Sequence, residues 1–293
     1  MKIAIAICSV GRPQVLAETL VRLTDLNDRP SQVLVVVTQR DDLPEEAEVF
    51  NALNVKVAYS MKGLTRQRNK AIEVLKDDHD VIFFMDDDYW PVQSLLAGIQ
   101  STFDRYPNVN GATGHVICDG IGLGGLDAAS AHNALLAFSD QNVEFQDETV
   151  ESLYGCNMAF RVKAIGDCFF DENLPLYGWQ EDVDFSMRLQ GLKIQTNRFS
   201  GVHLGTTNGR EVVGVRLGYS QIANVVYLWR KGSLPTKHAF RQMGRNVAAN
   251  FARLAFSEPW IDRPARALGN LTAFWDILRG RMHPSRVQKI SLK

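Results

Sequence analysis

The sequence predicts an α/β fold in which helices cover both faces of a Rossmann-like, mostly parallel sheet. Short apolar runs such as 33–37 and 81–85 are continuous rather than alternating, which is typical of buried parallel strands. Segments with helical spacing of apolar residues separate these runs, and proline begins several of the segments, as in the first turn of a helix. Because ligands of such sheets bind at the carboxyl ends of the strands, we expect functional residues directly after the strands.

Strands and helices are expected to alternate along the chain. Strands are predicted at 3–8, 33–37, 55–59, 81–85, 110–118 and 193–197. Helices are predicted from Pro13, over 44–53, over 65–75 with Thr65 as the N-cap, over 91–103 with Pro91 at the start, and over 181–190. Three further helices at 214–232, 237–256 and 264–280 form a predicted C-terminal helical extension.

The composition is that of a globular protein. Of the 293 residues, 45% are apolar and 22% are charged, which excludes collagen, a disordered chain and a simple coiled coil. No apolar run approaches the ~20 residues of a membrane-spanning helix. The four cysteines show no C-x-x-C spacing and favour reduced thiols over a disulfide framework or a zinc site. The N-terminus lacks the pattern of a signal peptide, so we expect a cytoplasmic protein.

The charges are distributed unevenly, although the net charge is only −1. Residues 214–293 contain 14 Lys and Arg against 3 Asp and Glu, whereas residues 1–213 contain 18 against 30. We therefore predict a boundary between a domain at 1–213 and a basic helical extension at 214–293. In this extension, basic residues alternate with apolar ones: Arg230, Lys231, Lys237, Arg241 and Arg245 with Tyr227, Trp229, Phe240, Met243 and Phe251.

A basic helical segment of this kind favours an anionic partner. Helices with basic and aromatic faces bind at membrane interfaces, so we expect peripheral contact at the cytoplasmic face of a membrane. A homodimer interface through 214–293, or a solvated tail packed on the acidic domain, are the alternatives. Nucleic acid is not expected as a partner, because the rest of the chain is acidic and no nucleic-acid-binding motif appears.

Three consecutive carboxylates, Asp86, Asp87 and Asp88, follow the apolar run 81–85. At an effective dielectric constant of ~20, two like charges ~4 Å apart repel by ~4 kcal/mol, so such a cluster requires a cation, a shifted pKa or full solvation. Oxygen ligands favour Mg²⁺ or Mn²⁺. The alternative is an exposed acidic turn that caps the following helix.

A second acidic group, Glu181-Asp182-Val183-Asp184, begins a predicted helix. The helix dipole stabilises carboxylates at this position by ~0.3–1 kcal/mol, which explains them without a function. The functional interpretation is a general base, because a hydroxyl nucleophile requires a nearby carboxylate that accepts its proton.

Five blocks of the sequence resemble, in the same order, blocks of the inverting family 2 glycosyltransferases of the GT-A fold. The blocks are 7–13 (ICSVGRP), 63–69 (GLTRQRN), 84–88 (FMDDD, similar to the D-x-D metal motif), 154–161 (YGCNMAFR) and 181–184 (EDVD). The resemblance covers residues 2–210. It implies inverting transfer of a sugar from a nucleotide sugar to a glycan or lipid-linked acceptor, as in surface polysaccharide synthesis.

The resemblance also implies roles for individual residues. Asp86, Asp88 and His203 would hold Mn²⁺ or Mg²⁺, Asp182 would be the base, and Glu181 would hold the acceptor or the sugar. The donor would contact Ser9, Gly11, Arg12, Thr38, Arg68, Asp86, Asp87, Asn157 and Trp179. Residues 1–118 would form the donor half and 119–213 the acceptor half of the catalytic domain. Two alternatives remain open. His203 is then a hydrogen-bonded core histidine, and Trp179 is a core residue rather than a platform on which a sugar stacks.

One block departs from the family. Where the second strand of the family is followed by Asp-Asp-Gly-Ser, this chain has Thr38-Gln39-Arg40-Asp41, so Thr38 or Gln39 would read the base. A UDP-sugar is the first donor expected, with dTDP and GDP as alternatives. A nucleotidyltransferase requires a Gly-rich, Lys-containing loop after the first strand, which 9–13 lacks. A non-catalytic scaffold would not require the intact acidic residues.

Overall fold

The computed structural model describes residues 1–45, 47–139, 144–206 and 214–290. The chain forms two compact units. The first, here called the sheet unit, consists of Met1–Lys62, Arg66–Phe169 and Leu189–Gly209. The second, called the helical unit, consists of Gly63–Thr65, Phe170–Arg188 and Arg210–Lys293.

The described strands form one mixed sheet in the sheet unit. They are β1 (Ile3–Cys8), β2 (Gln32–Val37), β3 (Val55–Tyr59), β4 (Val81–Asp86), β5 (Tyr89–Pro91), β6 (Val109–Asp119), β7 (Asp147–Thr149), β8 (Asn157–Arg161) and β9 (Leu192–His203). Their order is β3-β2-β1-β4-β8-β6-β9-β5, and β7 pairs with β9 outside this path. β8 is antiparallel to β4 and β6, and β5 and β7 are antiparallel to β9, while the other pairs are parallel. The carboxyl ends of β1, β2, β3, β4, β6 and β9 therefore lie at one edge, here called the carboxyl edge.

Helices separate most of these strands, which confirms the predicted α/β class. They are α1 (Pro13–Leu23), α2 (Ala47–Ala52), α3 (Leu64–Leu75), α4 (Leu95–Arg105), α5 (Ala128–Ser139) and the short α6 (Val162–Ile165). Helix α1 begins with proline and buries Leu16, Leu20 and Leu23, as its spacing predicts. Alternate strand residues such as Ile5 and Val35 belong to the same buried core.

The prediction that Pro91 begins a helix is wrong. Pro91 lies in β5 opposite Gly201 of β9, and α4 begins four residues later at Leu95. Proline has no N–H to donate, so it is tolerated at the margin of a sheet, and β5 is the last strand in the order. Strands β5, β7 and β8 and helix α5 are absent from the prediction; the strands are short, and α5 lacks a strong apolar face.

The helical unit contains α7 (Glu181–Arg188), α8 (Gly214–Lys231), α9 (Thr236–Ala252) and α10 (Arg263–Leu278), so the C-terminal helices form where the sequence predicts them. Helices α8 and α10 approach closely at two glycines. A Cβ atom at Gly218 would lie 2.0 Å from the carbonyl oxygen of Arg266, and one at Gly269 would lie 2.1 Å from that of Val215. Only glycine permits this contact between backbones.

A buried polar network fixes α8, α9 and α10 to one another. Asn270 of α10 donates to the carbonyl oxygen of Gly218 at 2.6 Å. Asn250 of α9 donates to Asn270 and to Gln221 of α8 at 2.9 and 2.8 Å. Because satisfied buried amides specify one arrangement of their helices, this network determines which face of α10 packs inward. In the ranges that the structure covers, no helix has both the length and the apolar character that a bilayer crossing demands.

Candidate active site

Two aspartates and a histidine meet at the carboxyl edge of the sheet. Asp86 ends β4, Asp88 lies in the turn between β4 and β5, and His203 ends β9. His203 Nε2 lies 3.3 Å from Asp88 Oδ1 and 3.7 Å from Asp86 Oδ2. One possible ligand atom from each residue lies within 4.8 Å of the other two. The sheet thus gathers the three predicted metal ligands from distant parts of the chain.

The geometry of these three side chains fits a divalent cation. Mg²⁺ binds oxygen ligands at ~2.1 Å, which places adjacent ligands of an octahedral shell ~3 Å apart. The two carboxylate–imidazole distances are slightly longer than this value, so a small adjustment would complete the contacts. Carboxylates suit Mg²⁺ and Mn²⁺, and neutral imidazole is a common metal ligand. Asp88 and His203 are buried, which holds both in place.

The raised pKa of His203 also indicates that the surrounding carboxylates favour a positive charge at this position. Burial by itself lowers the pKa of this histidine. Hydrogen bonds to Asp119 and Asp88, together with the charges of Asp88 and Asp86, outweigh burial and raise the pKa of His203 to about 9. A divalent cation bound at Nε2 would displace the proton there and neutralise the same carboxylates.

Asp119, which the sequence analysis did not select, orients His203. It ends β6 opposite His203, and its Oδ1 lies 3.1 Å from His203 Nδ1. Tyr154 donates to Asp119 Oδ2 at 2.8 Å. Burial raises the pKa of Asp119, but hydrogen bonds from His203 and from the Ile121 N–H lower it overall. A carboxylate behind a metal-binding histidine fixes the ring and its tautomer. The only available signal in the sequence was the position of Asp119 directly after a predicted strand.

Asp87 contacts Arg12 and Ser9, whereas Asp86 and Asp88 both lie near His203. Asp87 forms an ion pair with Arg12, and Ser9 donates to its Oδ2 at 2.5 Å. Arg12 Nη1 also lies 3.5 Å from Asp88 Oδ2, which accepts the Thr206 N–H at 2.8 Å. Asp87 therefore attaches the turn after β1 to the acidic cluster, and three of the predicted donor-site residues lie together there.

A buried aspartate organises the ends of β1 and β2. Asp42 accepts hydrogen bonds from the backbone N–H groups of Gly11, Thr38 and Gln39 at 2.7, 2.9 and 3.1 Å, and from the Thr38 hydroxyl at 2.7 Å. Burial raises the pKa of Asp42, but these hydrogen bonds lower it overall. Gly11 has a φ of +66°, which favours glycine. Gly11 and Thr38, both predicted to contact the donor, are thus held by a residue that the prediction omitted.

Arg68 and Asn157, also predicted at the donor site, lie beside β4. Arg68 Nη2 donates to the carbonyl oxygen of Gly155 at 2.9 Å and lies 3.3 Å from Asp86 Oδ1. Asn157 is fully buried; it accepts from the Thr113 hydroxyl at 2.7 Å and donates to the carbonyl oxygen of Gly114 at 3.0 Å. Arg68 therefore adds positive charge at the cluster, while Asn157 fastens the start of β8 to β6.

The predicted base lies in the helical unit. Glu181 and Asp182 are the first residues of α7, and Asp182 Oδ1 accepts the Val183 N–H at 2.8 Å. The segment that leads into α7 has left-handed backbone angles at Leu176 (φ 60°) and Gln180 (φ 75°). Such angles are strained for residues other than glycine and concentrate at functional sites. The sequence does not indicate that the backbone before α7 adopts these strained angles.

Ion pairs of a buried aspartate hold helix α7 in place. Asp184 is fully buried and pairs with Lys231 Nζ at 2.9 Å and with Arg188 at 2.9 Å. Trp179 and Val183 are partly buried, and both pack against the apolar cluster around Leu174. The carbonyl oxygen of Trp179 also accepts a hydrogen bond from Asn224 at 2.8 Å. These contacts fix the direction of α7 and hence the position of its two N-terminal carboxylates within the helical unit.

The sheet topology, with an acidic cluster at the carboxyl edge, defines a protein of the GT-A fold class. The chain belongs to glycosyl transferase family 2, whose model matches residues 4–169. No curated protein sequence matches the chain.

Solved structures with low sequence identity share this fold. One is the mannosyltransferase PcManGT from Pyrobaculum calidifontis in complex with GDP-Man and Mn²⁺, which is 13% identical in sequence and superposes with a TM-score of 0.56. The match includes 98% of this chain and 84% of PcManGT. S. aureus TarS 1–349 in complex with UDP-GlcNAc is 15% identical with a TM-score of 0.54, covering 98% and 83%. A further S. aureus TarS structure, 15% identical with a TM-score of 0.52, covers 88% of this chain, which spans 44% of that chain.

Proposed function

We propose that this protein transfers a sugar from a nucleoside diphosphate sugar to the hydroxyl group of a glycan or lipid-linked acceptor, with inversion at the anomeric carbon and with Mn²⁺ or Mg²⁺. The observation that carries the proposal is the cluster of Asp86, Asp88 and His203 at the carboxyl edge of a family 2 fold. Surface polysaccharide synthesis is the pathway that we propose.

The charges around the cluster support binding of a diphosphate. Arg12 lies 3.5 Å from Asp88 and Arg68 lies 3.3 Å from Asp86, so two guanidinium groups flank the carboxylates. Guanidinium groups bind phosphate oxygens through paired hydrogen bonds. When bound at the cluster, a divalent cation supplies Lewis-acid stabilisation of the negative charge that develops on the leaving diphosphate.

The reaction that we propose forms one bond and breaks one. The acceptor oxygen attacks the anomeric carbon as the bond from this carbon to the diphosphate oxygen breaks, and the nucleoside diphosphate leaves with the bonding electrons. Asp182 accepts the proton of the acceptor hydroxyl as general base. Glu181, buried beside it at the N-terminus of α7, orients the acceptor or the sugar.

The nucleotide is tested by calorimetry with UDP, dTDP, GDP and CMP, each with and without Mn²⁺. We expect one of the diphosphates to bind only with Mn²⁺, and UDP is the first candidate. Asp88→Ala is expected to abolish this binding because a cluster ligand is lost. The matched control is Asp77→Ala, which removes an exposed aspartate outside the site. Folded protein that binds none of the four nucleotides would overturn the proposal in favour of a non-catalytic scaffold.

The role of Asp182 is tested with the donor nucleotide found in this way. Asp182→Asn keeps the size of the side chain but removes the base. We expect unchanged Mn²⁺-dependent nucleotide binding and a fall in sugar transfer of roughly 10²–10⁴-fold. Equal rates of sugar transfer by the native chain and by Asp182→Asn would show that another group accepts the proton.

A further inference from the structure

Helix α10 has one face that is packed and one that is not. Its packed face contains Ala267, Asn270 and Ala273, which are buried. The opposite face contains Leu268, Leu271, Trp275 and Leu278, at a spacing that places all four on one side of a helix. All four are exposed, and Leu278 is 80% exposed. An exposed row of large apolar side chains indicates a surface that binds a partner.

The segment before α10 adds further apolar side chains that are held in a fixed arrangement. Phe256 is 86% exposed and Trp260 is also exposed. Glu258, between them, pairs with Arg253 and, at 2.9 Å, with Arg263. This pairing fixes the connection between α9 and α10. We call these exposed side chains the outer apolar face; it consists of Phe256, Trp260, Leu268, Leu271, Trp275 and Leu278.

The acidic side chains of this region are already engaged, so its positive charge is not balanced internally. Glu258 holds the two arginines named above. Asp276 is buried and pairs with Arg286 Nε at 2.5 Å. Asp262 caps α10 by accepting the Ala265 N–H at 2.9 Å. These three are the acidic residues of 214–293, against 14 Lys and Arg.

Positive charge also lies at the outer apolar face itself. The guanidinium group of Arg279 lies 4.1 Å from the centre of the Trp275 ring. Arg281, just beyond it, is half-exposed and lies 3.8 Å from Asp276 Oδ1. Indole rings with adjacent cations are typical of side chains at the boundary between lipid headgroups and acyl chains. The apolar and basic groups of this surface therefore match the two layers of an anionic lipid interface.

We propose that the outer apolar face binds the interface of an anionic lipid membrane. The main alternative occupant is a second copy of this chain, which would bring together two regions that each carry a large excess of positive charge. Anionic lipids instead neutralise this charge. The proposal moves the membrane contact from the basic and aromatic residues of α8 and α9 to α10. In α8 and α9, Trp229 and Phe240 lie edge to face at 5.5 Å and partly cover each other.

The test uses the full chain without any donor, so it is independent of sugar transfer. Co-sedimentation is measured with vesicles of phosphatidylglycerol and phosphatidylcholine in equal parts, and with vesicles of phosphatidylcholine alone. We expect binding to the anionic vesicles, weakened by salt. Leu271→Ser combined with Leu278→Ser is expected to lower this binding roughly tenfold or more, because both side chains lose their apolar contact with lipid.

The matched control is Leu136→Ser, since Leu136 in the sheet unit is 52% exposed and Leu271 is 54% exposed. Binding that falls equally in the control, or that does not fall in the double variant, would overturn the assignment of this face. Equal binding to both kinds of vesicle would overturn the requirement for anionic lipid. Absence of vesicle binding, together with a dimer in sedimentation velocity that the double variant dissociates, would assign the face to a second copy.

Discussion

The carboxyl edge of the sheet and the region from α8 to α10 carry opposite charges, and they expose these charges to different degrees. At the carboxyl edge, Asp87, Asp88 and His203 are buried, so each charge depends on a partner inside the protein. In the α8–α10 region, the acidic groups are paired and many basic groups reach solvent, so the remaining positive charge depends on a partner outside. We therefore expect the first arrangement to make stability sensitive to pH and to added metal ions, and the second to make the proposed lipid binding sensitive to salt.

The largest expected effect concerns the buried proton of His203. The pKa of His203 is raised from 6.5 to about 9, so the protonated form stabilises the folded state. This contribution is complete below pH 6.5 and is lost as the pH rises through 9. We expect the free energy of unfolding of metal-free protein to fall by roughly 3 kcal/mol over this range. Denaturation with a chelator present, at several pH values, measures it.

The matched variants for this measurement are His203→Gln and His132→Gln. His132 is exposed on α5, so its substitution should leave the decline with pH unchanged. His203→Gln should abolish the decline because the imidazole whose pKa is raised has been removed. A decline that persists in His203→Gln would assign the effect to another group.

The next effect concerns the residue that orients His203. Asp119→Asn keeps the shape of the side chain but removes the charge behind His203 Nδ1. We expect the affinity for Mn²⁺ to fall roughly 10–100-fold, measured by calorimetry without nucleotide. Tyr154→Phe, which removes one hydrogen bond to Asp119 but keeps its carboxylate, should have a smaller effect. A larger loss in Tyr154→Phe than in Asp119→Asn would contradict this role.

The smallest effect tests whether every basic residue of α8–α10 serves an external partner. Lys231 differs from the others, since its Nζ lies 2.6 Å from Asp171 Oδ2 and 2.9 Å from Asp184 Oδ1. Lys231→Gln should lower the free energy of unfolding by about 1–3 kcal/mol, while Lys237→Gln, at an exposed position, should leave it unchanged. Chemical denaturation of the three proteins measures the difference.

The pH dependence of the Lys231 effect provides a further check. Burial raises the pKa of Asp171, but the bond from Lys231 and other hydrogen bonds lower it overall from 3.8 to about 2. The stabilisation is present above pH 3.8 and is lost as the pH falls through 2. The difference in stability between the native chain and Lys231→Gln should therefore shrink over this acidic range.

The sequence predicted the central sheet because its strands are continuously apolar, which follows from burial on both faces. It did not predict β5 or β8, whose positions depend on pairing with β9 and β4 rather than on local pattern. The proline at position 91 was wrongly assigned to a helix for the same reason. Short strands are specified by their neighbours in space, and these neighbours are distant in the chain.

The candidate site shows the same division. Asp86 and Asp88 were selected because carboxylates directly after a strand indicate ligands, whereas His203 was selected from the family resemblance; the structure brings the three side chains together. Asp42 and Asp119 were not found, since their roles depend on hydrogen bonds to Gly11 and His203, which only the fold brings near. The side chain of Asp87 is oriented differently from those of Asp86 and Asp88. A run of three aspartates in the sequence does not indicate this difference.

The interleaving of the two units along the chain has a consequence for synthesis on the ribosome. Residues 63–65 belong to the helical unit, where the Leu64 N–H donates to the carbonyl oxygen of Leu176 at 2.8 Å and the Thr65 hydroxyl donates to that of Leu174 at 3.2 Å. More than a hundred residues are added before these partners exist. During that time the first parallel strands have already emerged, and β4 has no partner on its other side until β8 follows. The helical unit likewise cannot assemble until its later segments have been added.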